Sequence, residues 1–172
     1  MATSKTKSLG TSSVSFVKQL ISAIFIWCIL GSGTAAAKSV AFDKAQLITL
    51  KKQNMGKQWL MLLWSVDCPP CFKELAILQK LHGQHDDLAV VIINTDASDE
   101  ITAERIDIIE KFELDNLANF HFVDGKGDQS RFYIDPSWYG ELPRSYFVES
   151  DGKFHGKSGL VNESLLTKWL IN

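Results

Sequence analysis

The sequence predicts a three-layer α/β domain with a central mixed β-sheet flanked by helices. Three observations carry this expectation. Two continuous apolar runs of strand length, residues 58–65 and 88–94, are each followed by a segment with helical apolar spacing. That alternation implies parallel strands joined by helical crossovers. Later, Asp151-Gly152 separates two short strand-like segments, the signature of an antiparallel hairpin. The 172 residues are 45% apolar and 22% charged, the balance of one globular domain with a real core.

Residues 1–37 stand apart from that domain. Lys5, Lys7 and Lys18 are their only charges, an apolar stretch runs from Leu20 to Leu30, and small residues ending Ala35-Ala36-Ala37 follow. A basic start, a short apolar segment and an A-x-A end describe a secretory signal peptide. The stretch is shorter than the roughly 20 residues of a spanning helix, although an uncleaved membrane anchor is the competing reading. Cys28, preceded by Trp27, lacks the small neighbour of a lipidation signal. The domain is therefore expected over 38–172, in an exported, periplasmic setting where disulfide chemistry is active. Cleavage removes three of the 18 basic residues and none of the 20 acids, leaving a net charge of about −5. No basic stripe is present, so no nucleic-acid partner is expected.

Along the mature chain, Phe42 to Gln53 reads as a helix, with Phe42, Ala45, Leu47, Ile48 and Leu50 roughly on one face. Gln58 to Ser65 reads as a central strand and Cys71 to His82 as a helix that Gly83 ends. Leu88 to Asn94 is β-branched and strand-like, and Asp99 to Phe112 helical. Asp115 to Gly140 is mixed, with a short strand at Asn119 to Val123 and a turn at Gly125 to Gly127. Ser145 to Glu149 and Lys153 to Ser158 form the hairpin, and Asn162, a plausible N-cap, opens a closing helix to Ile171.

Asp67-Cys68-Pro69-Pro70-Cys71-Phe72 lies where the first strand feeds a helix. Two cysteines three apart at such a junction suit a redox dithiol, in which one thiol attacks a disulfide and the other resolves the mixed disulfide. A thiolate at the helix N-cap is stabilised by free backbone N–H groups and the helix dipole. Pro69 and Pro70 have no N–H, so the amides of Cys71 and Phe72 are the available donors; prolines are tolerated in a first turn for that same reason. Cys68 is thus the expected attacking thiol and Cys71 the resolving one. Once residues 1–37 are removed, they are the only cysteines left.

Other chemistries fit poorly. Cys68, Cys71, His82 and His85 miss zinc-finger spacing, and an unbroken helix sets His82 about 16 Å from Cys71, so no metal is expected. There is no Ser/His/Asp triad, phosphate loop or dinucleotide fingerprint, and no cofactor is expected. The acidic run from Asp96 to Glu104 reads as a solvated helix start. Phe120, Phe122, Tyr133, Tyr139, Tyr146 and Phe147 read as core. Trp64 and Trp138 are divided between core and a surface flanking the dithiol.

Three stretches resemble the thioredoxin-fold family and, within it, the exported TlpA/ResA-like thiol-disulfide oxidoreductases. They are Leu62 to Glu74, with strand, aromatic, C-x-x-C and helix start; Val90 to Asp96, the second core strand; and Gly140 to Gly152, with Leu142-Pro143 and the hairpin. Residues 97–139 would hold the helical insertion that separates this branch from plain thioredoxin. The resemblance implies a redox-active Cys68–Cys71 disulfide and a cis Pro143 beside it, with Leu142 exposing its backbone to a substrate strand. It also implies client proteins bearing disulfides, reductive work of the cytochrome or copper-site maturation type, and a membrane thiol-disulfide electron donor. A thiol oxidant or isomerase, or a copper-handling module using the dithiol as ligands, are the alternatives.

Departures from the family pattern concern the site. Asp67 stands where an aromatic residue is frequent; a carboxylate beside the nucleophile raises the thiol pKa unless it points to solvent. Leu62 occupies the position of the buried acid of thioredoxins. Glu74 is a candidate substitute, or an acid of the first helical turn present for dipole reasons. Arg144 replaces a small hydroxyl residue, and either stabilises the Cys68 thiolate, grips a partner, or is a strand-end charge.

Overall fold

The computed structural model describes Met1 and residues 39–171. The proposed signal peptide over 1–37, with Cys28, lies outside the described residues apart from Met1. Among the described residues, no helix is long and apolar enough to cross a membrane.

Six strands and five helices follow one another among the described residues. They are β1 (Val40–Phe42), α1 (Lys44–Gln53), β2 (Trp59–Trp64), α2 (Pro69–His82), β3 (Val90–Asn94), α3 (Thr102–Lys111), β4 (Ala118–Phe122), α4 (Gly127–Ile134), β5 (Arg144–Val148), β6 (Phe154–Ser158) and α5 (Glu163–Ile171). The sheet order is β1-β4-β3-β2-β5-β6. The first four strands in that order pair in parallel, while β5 runs antiparallel to β2 and β6 antiparallel to β5. The expected mixed sheet is therefore present, and β2 lies inside it, buried at every residue. Burial on both faces is why β2 reads as a continuous apolar run instead of an alternating one.

The sheet divides the interior into two apolar clusters. Leu75, Leu78 and Leu81 of α2, Ile109 of α3 and Leu166 of α5 pack on one face with Leu60, Leu62 and Trp64. Leu47 and Leu50 of α1 and Ile134 of α4 pack on the other, with Trp59, Met61 and Leu63. The Trp169 indole donates to the Trp59 carbonyl at 3.1 Å and meets Phe147 edge-on, seating α5.

Local chemistry sets the ends of the elements. The Asp43 carboxylate accepts from the Gln46 amide at 2.8 Å, capping α1. Phe42 therefore precedes the helix and ends β1, and it does not open a helix as its apolar spacing suggested. Asn162 caps α5 as expected, accepting from Leu165 N at 2.9 Å. Gly152 adopts φ 87° in the hairpin, a left-handed conformation that glycine supplies without steric cost. Two elements escape the sequence reading: β1, three residues long at the sheet edge, and α4, inside the stretch read as mixed.

Candidate active site

Cys68 is the N-cap of α2, with Pro69 and Pro70 as the first two helical residues. Its Sγ accepts from the Cys71 amide at 3.3 Å, the donor left once the prolines have none to offer. Cys68 and Cys71 form a disulfide, S–S 2.01 Å. Cys71 is fully buried and Cys68 is 7% exposed, so the outer sulfur is Cys68. Both sit in the cluster with Trp64, which is itself buried.

Pro143 follows a cis peptide bond from Leu142. The β2–β5 ladder pairs Leu63 with Arg144; continued by one residue, it brings Pro143 beside Trp64, where β2 leaves for the dithiol. Leu142 is half-buried and packs against both apolar clusters. Trp138 is buried, and its indole N–H donates to the Glu141 carbonyl at 3.0 Å. Its role here is to brace the backbone just before Leu142, while the neighbouring Tyr139 is 85% exposed. Tyr139 is therefore a surface aromatic and not the core residue its composition suggested.

Glu74 lies one turn past the helix start, since the first turn of α2 holds no acid. It is fully buried, and Ser145 Oγ donates to its Oε1 at 2.6 Å, while Oε2 has no partner. Burial pushes its carboxyl up to about 7, against the opposing pull of the Ser145 hydrogen bond, the Val161 backbone and the Lys157 charge. Ser145 is the cross-strand partner of Leu62. The acid absent from β2 at Leu62 is thus supplied to the same neighbourhood from α2. Cys71 and Glu74, three apart on one helix, share a face.

Asp67 is exposed, and its amide donates to Ser65 Oγ at 3.2 Å. Arg144 is positioned differently. Its guanidinium bonds Asp135 at 3.0 Å and Ser158 at 2.9 Å and stacks 4.6 Å from the centre of the Tyr146 ring. Because side chains alternate across a strand, Arg144 and Tyr146 face the side of the sheet opposite Ser145 and Glu74. That orientation takes the Arg144 cation away from the Cys68 sulfur, and it is the structural ion pair of a half-buried strand end.

One element of the site is invisible to motif reading. The Asp96 carboxylate, just beyond β3, accepts from Ser65 Oγ at 2.7 Å, Val66 N at 2.8 Å and Asn94 Nδ2 at 2.9 Å. Asp96 is half-buried, and α3 begins only at Thr102. The reading of Asp96 as part of a solvated helix start is therefore corrected.

Fold and site together define a thioredoxin-fold protein carrying a C-x-x-C disulfide at a helix N-terminus. Solved structures agree on the fold: a thiol:disulfide interchange protein of the thioredoxin family from Chlorobium tepidum superposes with TM-score 0.54 at 14% identity, covering 69% of this chain and 80% of that one. No family profile matches the chain. Among curated proteins, the thiol:disulfide interchange protein DsbE of Haemophilus influenzae is 30% identical over 118 residues, covering 68% of this chain and 59% of the relative. The sporulation thiol-disulfide oxidoreductase A of Bacillus subtilis is 27% identical over 120 residues, 67% of this chain and 68% of that protein. ResA of Halalkalibacterium halodurans is 28% identical over 99 residues, 57% and 51% respectively. The matched regions span between 51% and 68% of these relatives' length. Within the thioredoxin-fold class, the chain is similar to the TlpA/ResA-like thiol-disulfide oxidoreductases.

Proposed function

We propose that the protein is an exported protein-disulfide oxidoreductase that reduces disulfides of client proteins, of the kind needed to prepare cytochrome or copper-site cysteines. The observation that carries this reading is the Cys68–Cys71 pair at the start of α2, with a more exposed outer sulfur and a buried inner one. In the reduced protein the Cys68 thiolate attacks one sulfur of a client disulfide. A mixed disulfide forms and a client thiolate leaves. Cys71, deprotonated, then attacks the Cys68 sulfur, forming the Cys68–Cys71 disulfide and releasing the second client thiolate. Two electrons pass to the client, and two protons complete its thiols. A membrane thiol-disulfide donor returns the electrons.

Three groups support these steps. The Cys71 amide and the helix dipole stabilise negative charge on Cys68. Glu74, with its carboxyl near 7, accepts the Cys71 proton at neutral pH, since a catalytic base works best with a pKa near the operating pH. Leu142 and Pro143 form the edge along which an extended client segment lies, beside the exposed Tyr139. Arg144 takes no part in gripping the client, because its guanidinium is held by Asp135 and Ser158.

Cys68→Ala abolishes turnover of a disulfide substrate, and Cys71→Ala accumulates a mixed disulfide that mass spectrometry detects. Equilibration with glutathione or dithiothreitol fixes the direction. A reduction potential of about −270 mV is expected for a reductant; one of about −120 mV would assign an oxidant instead. Tight Cu(I) binding without disulfide-reductase activity would overturn both.

A further inference from the structure

We propose that Asp96 is a positioning residue for the dithiol. Its carboxylate holds the turn that carries the chain from β2 to α2 and so sets the reactivity of Cys68. The inference rests on the reading of Cys68 as the attacking thiol.

The chain leaves β2 at Trp64 and caps α2 at Cys68, so residues 65–67 must reverse from extended to helical backbone. Within that turn, only one bond joins backbone to backbone: Cys68 N donates to Ser65 O at 3.2 Å, at the long limit for N–H···O. Thr95 N and Oγ1 hold the Trp64 carbonyl at the start of the turn, at 2.8 and 3.2 Å, and the side-chain bonds to residues 65–67 converge on Asp96. Ser65 Oγ gives its proton to Oδ1 and, thus oriented, accepts from Asp67 N; Val66 N donates to Oδ2. Two successive residues before Cys68 are tied, directly or through Ser65, to one carboxylate.

Asp96 is itself held on both sides. Asn94 Nδ2 donates to Oδ2, and Asn94 Oδ1 accepts from Asp96 N at 3.2 Å. Asn94 is buried and pairs in register with Trp64. The clamp is therefore anchored on β3, the strand beside the one it restrains. Its electrostatic setting is asymmetric: Arg105 of α3 interacts favourably with Asp96, whereas Asp67 and the buried Glu74 are the acids nearest the dithiol in sequence. A charged acceptor makes stronger hydrogen bonds than a neutral one, so a carboxylate suits a turn whose own backbone bond is weak.

Positioning and charge predict opposite changes. If Asp96 acted only by its negative charge, removing that charge would favour the Cys68 thiolate, and Asp96→Asn and Asp96→Ala would lower its pH midpoint equally. If it acts by holding the turn, Asn keeps most of it, its oxygen accepting from Val66 N and Asn94 Nδ2 while its NH2 donates to Ser65 Oγ, whereas Ala releases the turn and weakens the contact between the Cys71 amide and Cys68 Sγ.

The experiment measures iodoacetamide alkylation of the reduced full-length protein against pH, resolved by peptide mass so that Cys28, Cys68 and Cys71 are read separately. For Asp96→Ala the Cys68 midpoint rises by about one pH unit and the rate at neutral pH falls about tenfold, the equivalent of one charge-assisted hydrogen bond. Asp96→Asn stays within about threefold of wild type. Ser65→Ala, a milder change, moves in the same direction as Asp96→Ala and serves if that variant does not fold. Urea unfolding is measured in parallel, because a merely structural role lowers stability and leaves the midpoint where it was. Equal downward shifts in both Asp96 variants, or unmoved midpoints in all three, overturn the proposal. Wild-type alkylation beginning at Cys71 would instead overturn the assignment of Cys68 as the attacking thiol.

Discussion

At the residue scale, Glu74 is a carboxylic acid taken fully out of water. Its carboxyl is pushed up to about 7 from 4.5 by burial, with one oxygen bonded to Ser145 and the other unpaired. Below about pH 4.5 it is protonated in folded and unfolded chains alike. Between there and about pH 7 the folded chain holds its proton more tightly, so stability falls as pH rises. Above 7 the burial penalty is fully present, on the order of 3 kcal/mol. Glu74→Gln keeps an acceptor for Ser145 and removes the charge. The variant should therefore be more stable than wild type above pH 7, with the difference shrinking toward pH 4.5, as urea unfolding at several pH values will show. It should also turn over disulfides roughly a hundredfold more slowly at neutral pH, the lower range for a lost proton-transfer group, and lose the rise in rate near pH 7. Greater stability with lower activity marks a residue retained for chemistry.

At the element scale, short polar contacts decide where helices begin. Asp43→Ala and Asn162→Ala each remove the acceptor of a first-turn amide and should cost about 1 kcal/mol. Both should move the urea midpoint without changing its slope. The same local chemistry explains what the sequence made legible. β2, α2, β3, the hairpin and α5 have long apolar runs, glycine turns or caps that act over a few residues, and each stands within about two residues of its expected place. β1 was illegible because three edge residues carry no periodicity, and Phe42 also continued the apolar face of α1. The dithiol was legible because its chemistry is local: N-cap, prolines and donor amide all fall within four residues. Asp96 was not, because its partners Ser65 and Val66 lie 31 and 30 positions away, and only the pairing of β2 with β3 brings them together. The face taken by Arg144 likewise depends on strand register, which the motif Leu142-Pro143-Arg144 does not encode.

At the scale of the whole molecule, the sheet is a partition with the chemistry on one side. Cys68, Cys71 and Leu75 share an apolar cluster with α3 and α5, whereas Leu50 belongs to the cluster beneath α1 and α4. Interiors are close-packed, so a void on one face is felt by the groups lining it and is damped across a hydrogen-bonded sheet. Leu75→Ala and Leu50→Ala remove the same atoms from nearly fully buried sites, and each should destabilise by about 2–5 kcal/mol. Their effects on the dithiol should differ. Leu75 lies one turn from Cys71 on α2, so its loss lets the inner cysteine relax. It should shift the Cys68–Cys71 equilibrium with dithiothreitol, whereas Leu50→Ala should leave that equilibrium unchanged within about twofold. Measuring both quantities on both variants separates global stability from local control of the disulfide. Equal redox shifts from the two variants would mean that the sheet transmits packing changes between its faces and that the two clusters act as one core.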